Sequence, residues 1–236
     1  MASPSDSVTT KAGLVEALGS GRFEFQLSTF QSVYYTLERA ICERIAKRPP
    51  PNRPGPRLLN LGCGPHNFEG WINADDYAPR RRWREAAFKP DWSLDITRPW
   101  ACPSDYWDGV FTEHVLEHLS YSEVVHTLSE CLRTMRSGAW IRISVPDLRT
   151  YVDNYEGRLS RPEFEDFPHP AVGVSFVTQM HLHRSAWDAD LMTRLLSELG
   201  FEDACVGAFG EGADARLLKD DPDKRHESLY VEARRP

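Results

Sequence analysis

The stretch Leu58-Leu59-Asn60-Leu61-Gly62-Cys63-Gly64-Pro65 constrains the fold of this chain more than any other. A short apolar run that ends in Gly-x-Gly reads as a buried strand entering a tight turn. The glycines let the backbone pass close to a ligand, because a Cβ there would collide with it. A second apolar run, Trp71-Ile72-Asn73-Ala74, ends at Asp75. A carboxylate at the end of such a strand accepts hydrogen bonds from ribose hydroxyls. Strand, glycine turn and acid in this order predict an α/β domain that holds an adenosine-containing small molecule.

A dinucleotide does not fit the turn. Its phosphates need the third glycine of G-x-G-x-x-G, so that a helix N-terminus can approach them. Here that position is Asn67, and Pro65 follows the second glycine. The P-loop pattern G-x-x-x-x-G-K-[ST] does not occur either. The turn suits a cofactor without phosphates, such as S-adenosylmethionine.

The segments that follow support this reading. Leu94-Asp95-Ile96 places a second acid after a short apolar run, where a carboxylate can accept the adenine amino group. Trp107 to His114 reads as a fourth strand, followed by Val115-Leu116-Glu117-His118-Leu119. Ser122 to Met135 is predicted helical, with Val125, Leu128, Leu132 and Met135 at helical spacing and Ser137-Gly138 as the stop. Trp140 to Val145 is the fifth strand, ended by Pro146-Asp147. Phe201 to Phe209 reads as a sixth strand, Gly210 to Arg225 as a charged loop, and Ser228 to Ala233 as the last strand.

From about Arg57 to Asp147 the chain resembles the class I S-adenosylmethionine-dependent methyltransferases of the type-11-like group. The carrying motifs are LNLGCG, GWINAD, WDGVFTEHVLEHL and RSGAWIRISVPDL. Ser137-Gly138-Ala139 departs from the usual Pro-Gly-Gly, at a turn that is structural. The resemblance implies a Rossmann-like α/β fold, with a mostly parallel seven-stranded sheet and an antiparallel last strand. It implies S-adenosylmethionine as methyl donor, held by Asn60, Gly62, Cys63, Gly64, Asp75, Asp95, Ile96 and Glu113.

Composition sets the outer limits. A chain of 236 residues can bury a large core. Its net charge of −7 argues against general nucleic-acid binding, which calls for a basic face. No apolar run approaches the ~20 residues that span a bilayer. The start, Met1-Ala2-Ser3-Pro4-Ser5-Asp6, lacks the basic and apolar regions of a secretory signal. Cys42, Cys63, Cys102, Cys131 and Cys205 show neither disulfide nor metal-ligand spacing. A cytoplasmic location is the expectation. Oligomeric state is left open.

Three regions are expected: a flexible N-terminus over residues 1–21, a helical lid and connector over 22–56, and the cofactor-binding domain over 57–236. In the second, Phe23, Leu27, Phe30, Tyr34, Leu37, Ile41 and Ile45 form an apolar stripe, and a proline-rich connector follows. One reading packs this helix on the sheet domain and nothing more. The other makes it a lid, with Tyr35 among its aromatic side chains near the sulfonium; a cation–π contact there is worth ~0.5–2 kcal/mol. Arg80-Arg81-Arg82-Trp83-Arg84 reads as a solvated loop or an anion contact.

Catalytic candidates are fewer. His114, Glu117 and His118 follow the fourth strand, but the order is not H-E-x-x-H, and the resemblance accounts for them without a metal. No metal is expected. Residues 151–185 read as an irregular insertion, which in this superfamily builds the acceptor pocket. His181, ahead of a helix from about Ser185 to Leu199, is the leading polar candidate, since a histidine suits general-base work near neutral pH. A brace for the insertion is the competing reading. His114 and Asp147 are further candidates. A methyltransferase acting on a small molecule by in-line transfer is the leading function. An alternative is a cyclase that forms azetidine-2-carboxylate and methylthioadenosine from S-adenosylmethionine itself, with Tyr34, Asn154 or His181 holding the amine. A non-catalytic S-adenosylmethionine-binding protein is a third. The need for a second substrate separates the first two.

Overall fold

A computed structural model describes residues 13–20, 49–76 and 90–236. Its centre is a seven-stranded sheet built from β1 (Leu58–Leu61), β2 (Ile72–Asp75), β3 (Trp92–Ser93), β4 (Gly109–Glu113), β5 (Trp140–Pro146), β6 (Glu202–Val206) and β7 (Ser228–Arg234). The spatial order is β3-β2-β1-β4-β5-β7-β6. Neighbours pair in parallel except β7, which runs antiparallel to both β5 and β6. The expected architecture is therefore present, including the reversed last strand.

The strands are short apolar runs because both sheet faces are covered. All four residues of β1 are buried. Leu59, Leu61, Val110, Ile141, Ile143 and Val231 join one core with Trp92, Trp107 and Trp187. A smaller cluster of Leu58, Trp71, Phe111 and Leu217 fills the opposite side.

Among the described residues five α-helices flank the sheet: α1 (Gly13–Gly19), α2 (Tyr121–Thr134), α3 (Leu148–Tyr155), α4 (Pro170–Gln179) and α5 (Ala189–Leu199). The α2 helix starts where its cap chemistry dictates. Ser120 Oγ accepts from the Glu123 amide, and Glu123 Oε2 accepts from the Ser120 amide at 2.9 Å. Two of the amides that a helix start leaves unsatisfied are thereby used. Its end precedes Met135, so Gly138 (φ +79°) serves the turn into β5 rather than the helix stop. Asp188 caps α5, and Gly200 ends it with φ +105°.

Two expectations change. Within the segment expected to be flexible, Gly13–Gly19 is a helix that packs on α2 and α5, with Leu18 buried. The Val15 amide donates to Glu198 Oε2 at 3.2 Å. The apolar side of so short a helix is satisfied only by tertiary contact, which local propensity does not report. The insertion, expected to be irregular, contains α3 and α4 around its own core of Tyr151, Phe164 and Val177. The α4 sequence is apolar nearly all round, so it carries no helical stripe to read. The helix expected over residues 22–47, with Tyr34 and Tyr35, lies outside the described residues, as does the Arg80–Arg84 segment. No helix among the described residues is long and apolar enough to cross a membrane.

Candidate functional site

The strand order reverses between β1 and β4, which are parallel neighbours. In open α/β sheets, the crevice at the carboxyl ends of two such strands is where ligands bind. The Gly62–Gly64 turn leaves β1 there, and the Glu113–His118 segment leaves β4 beside it.

Backbone geometry explains the two glycines separately. Gly62 has φ +74°, and a Cβ on it would lie 2.3 Å from Val115 Cγ2. Glycine at 62 thus permits contact between the turn and the segment after β4. Gly64 also has positive φ, +50°, but a Cβ there would meet nothing within 4 Å. The space over Gly64 is open. The Gly62 and Cys63 amides donate to the Ala74 carbonyl at 2.8 and 3.0 Å, so the first turn is stitched to β2. The Gly64 amide donates to Asp75 Oδ2 at 2.7 Å, and the Asp76 amide donates to Asp75 Oδ1 at 2.8 Å. Asp75 therefore stands fixed at the edge of the turn, 8% exposed. An open turn with a positioned carboxylate beside it fits a ribose.

Other expected cofactor residues take different places. Asn60 is buried, and its Nδ2 donates to the His66 carbonyl and to Asn73 Oδ1 at 2.8 and 3.1 Å. Its amide braces the loop after the turn. Cys63 is buried at the same turn. Asp95 Oδ1 accepts from both the amide and hydroxyl of Thr97, at 3.0 and 2.6 Å. The Ile96 carbonyl accepts from Trp100 Nε1 and Thr127 Oγ1. Glu113 accepts from the Asp221 amide at 3.0 Å, so it anchors the loop before β7. Burial pushes its carboxyl up to about 7.

The catalytic candidates separate on inspection. His114 sits in left-handed backbone (φ +51°), with its amide donating to the Ser144 carbonyl. Its Nε2 lies 2.8 Å from Ser228 Oγ. Burial pulls this imidazole down to about 4, so it is neutral at physiological pH. His181 is exposed, in a turn where it and Leu182 both have positive φ, and its ring meets Phe176 edge-on. The buried-facing histidine of that segment is instead His183, whose Nδ1 lies 2.8 Å from the Val177 carbonyl and whose ring packs edge-on against His118. Asp147 caps α3, accepting from the Arg149 amide and the Thr150 hydroxyl at 3.0 Å each. That is a helix-capping contact. Asn154 Nδ2 donates to the Leu159 carbonyl at 3.2 Å, closing the end of α3.

Sequence reading missed Arg142, which lies in β5. Its guanidinium is fully buried and meets Asp220, Glu232 and the Ala208 and Glu211 carbonyls. A lone arginine amid an apolar strand was the available signal. It also missed the buried Glu117 as distinct from its neighbours; burial pushes that carboxyl up to about 8.

Comparison with known proteins agrees with this geometry. The model of a family described as a methyltransferase domain matches residues 34–206. No curated protein matches the chain. Among solved structures, a possible histamine N-methyltransferase from Thermotoga maritima is similar with TM-score 0.50 and 13% identity, over 96% of this chain and 100% of that one. A methyltransferase from Archaeoglobus fulgidus aligns with TM-score 0.49 and 21% identity, over 86% of this chain and 93% of that one. Another from Mesorhizobium loti gives 0.48 and 18%, over 85% and 97%. The Thermotoga likeness shows the fold. Matching most of its length, the chain belongs to the methyltransferase-domain family and is a class I S-adenosylmethionine-dependent methyltransferase.

Proposed function

We propose that this enzyme methylates a small molecule by in-line transfer, in a pocket bounded by the glycine turn on one side and the α3–α4 insertion on the other. One observation carries the reading. The Arg184 and Ser185 amides, just beyond α4, donate to the Glu117 carbonyl at 2.7 and 3.1 Å. They fasten the insertion to the segment after β4, at the carboxyl end of the strands, where the glycine turn also lies. The insertion presents apolar surface, with Val172, Met180 and Leu182 between 44% and 65% exposed. Such surface suits a small, partly apolar acceptor.

S-adenosylmethionine supplies an electrophilic methyl group on a sulfonium. Asp75 and the backbone around Gly64 hold and orient the nucleoside part, and Asp95 is the proposed contact for the base. The insertion positions the acceptor and excludes water. Alignment alone is worth ~7–11 kcal/mol of barrier. A base is needed only where the acceptor must lose a proton. The net charge of −7 does not suit a nucleic-acid substrate.

The test incubates the purified chain with S-adenosylmethionine and pools of small phenols, amines and carboxylic acids, with mass spectrometry of the products. S-adenosylhomocysteine that forms only with an acceptor pool is the expected result. Methylthioadenosine from S-adenosylmethionine alone would replace the proposal with the cyclase reading. Turnover on protein or RNA alone would overturn the substrate class.

A further inference from the structure

The fold brings His183 to the adjacent pair Glu117 and His118, so that three metal-ligating side chains meet. One donor atom from each lies within 4.8 Å of the others. Glu117 is the informative member. It is 2% exposed, and neither carboxylate oxygen has a hydrogen-bond partner among the described residues. A buried carboxylate in that position is costly unless it is paired or coordinates a cation. What faces it is imidazole. His114 Nδ1 lies 3.5 Å and His118 Nε2 3.8 Å from Glu117 Oε1.

Hydrogen bonds on the far side of two rings fix which nitrogen carries a lone pair. A carbonyl can only accept, so His183 Nδ1 donates to Val177, and its Nε2 is the ligating atom. Donation of the second ring nitrogen to a backbone carbonyl is how ligating histidines are commonly oriented. The Ser228 hydroxyl donates to the Lys224 carbonyl at 2.8 Å, so it accepts from His114 Nε2. In a neutral ring, His114 Nδ1 then turns its lone pair toward Glu117 Oε1. Two electron-rich atoms face each other across 3.5 Å, and a positive species between or beside them resolves the conflict.

We propose that Glu117, His118 and His183 form a binding site for a borderline divalent cation of the Zn²⁺ class, with His114 at its edge. Two imidazoles and one carboxylate suit Zn²⁺, Co²⁺ or Fe²⁺ and not Mg²⁺, which prefers oxygen. Three protein ligands leave a coordination position open. Bonds of about 2.1 Å in tetrahedral geometry place donor atoms about 3.4 Å apart, a contraction that side-chain rotation from the present spread can supply. Because Glu117 and His118 follow β4 while His183 follows α4, a bound cation would clamp the insertion to the sheet. The competing resolution is a proton on Glu117, which would need no metal.

The experiment strips the full chain with a chelator, returns Zn²⁺ or Co²⁺, and measures bound metal by mass spectrometry and chelator competition. The expected result is one Zn²⁺ per chain, not displaced by excess Mg²⁺, with a raised Tm. Co²⁺ should give the visible bands of a low-coordinate nitrogen–oxygen site. His118→Ala and His183→Ala, at partly exposed positions that tolerate truncation, should each weaken binding at least tenfold while circular dichroism stays unchanged. Failure of the folded chain to take up stoichiometric Zn²⁺ would overturn the proposal, as would full affinity in both variants. S-adenosylmethionine titration of the same samples keeps this outcome apart from the cofactor reading.

Discussion

The Arg142 guanidinium meets the Asp220 carboxylate through two parallel hydrogen bonds, Nε to Oδ1 at 2.7 Å and Nη2 to Oδ2 at 2.6 Å. Both side chains are essentially inaccessible to water. The pair pulls the loop before β7 onto β5, and the next residue, Asp221, then presents its amide to Glu113. Removing one partner of a buried pair leaves an uncompensated charge, which costs ~3–5 kcal/mol. Asp220→Ala should therefore lower unfolding stability by about that amount in urea titrations. A loss below ~1 kcal/mol would mean that Glu232 alone satisfies Arg142.

Gly62 is held by sterics on two counts. Alanine there meets Val115 and has to adopt positive φ. Gly62→Ala should cost roughly 2–4 kcal/mol and weaken S-adenosylmethionine binding. Adding Val115→Ala should recover the packing part and leave the backbone part. Calorimetry on the single and double variants separates the two.

Asp75 is the expected ribose contact. Hydrogen bonds to a charged group are worth ~1.5–3 kcal/mol, so Asp75→Ala should raise the Kd for S-adenosylmethionine roughly tenfold to a hundredfold. Unchanged affinity by calorimetry would remove Asp75 from the cofactor site. Because Asp75 also accepts from Gly64, some of the loss will come from a displaced turn.

Glu113 predicts a pH dependence of stability. Its carboxyl is raised in the folded protein to about 7, chiefly by burial, against ~4.3 in an unfolded chain. Folding therefore favours the protonated form. This contribution is complete below pH ~4.3 and is lost as pH rises through about 7. Glu113→Gln keeps an acceptor for Asp221 and removes the titration. The Tm difference, variant minus parent, should be more favourable at pH 8 than at pH 5. An equal difference at both values would show that Glu113 titrates normally.

Tyr151 Oη donates to Glu227 Oε2 at 2.5 Å inside the insertion core. Tyr151→Phe keeps the packing and strands the carboxylate. It should cost ~1–3 kcal/mol, read as a lower denaturation midpoint.

Much of this fold is legible along the chain because its signals are local. The run Leu58–Leu61 followed by Gly62 and Gly64 announces a buried strand and a glycine turn. Ser120 and Glu123 stand three apart, the spacing that a capping box needs, and Gly200 marks a helix end. Asp75 could be placed because it terminates its own strand. Tertiary contacts decided the rest. Whether His181 or His183 faces inward depends on a left-handed turn and on the Val177 carbonyl that receives His183. Whether Asn60 serves a ligand or a loop depends on His66 and Asn73. Arg142 becomes a buried anchor only because Asp220 and Glu232 return to it from far along the chain. The juxtaposition of Glu117 and His118 with His183 arises in the same way, from the segment after β4 and the insertion meeting at the carboxyl end of the strands. Periodicity, caps and glycine turns are written in neighbouring residues, so sequence alone determined the sheet and its cofactor turn. Burial and charge pairing at the site join residues distant in sequence, so only the folded chain determined which side chains work together.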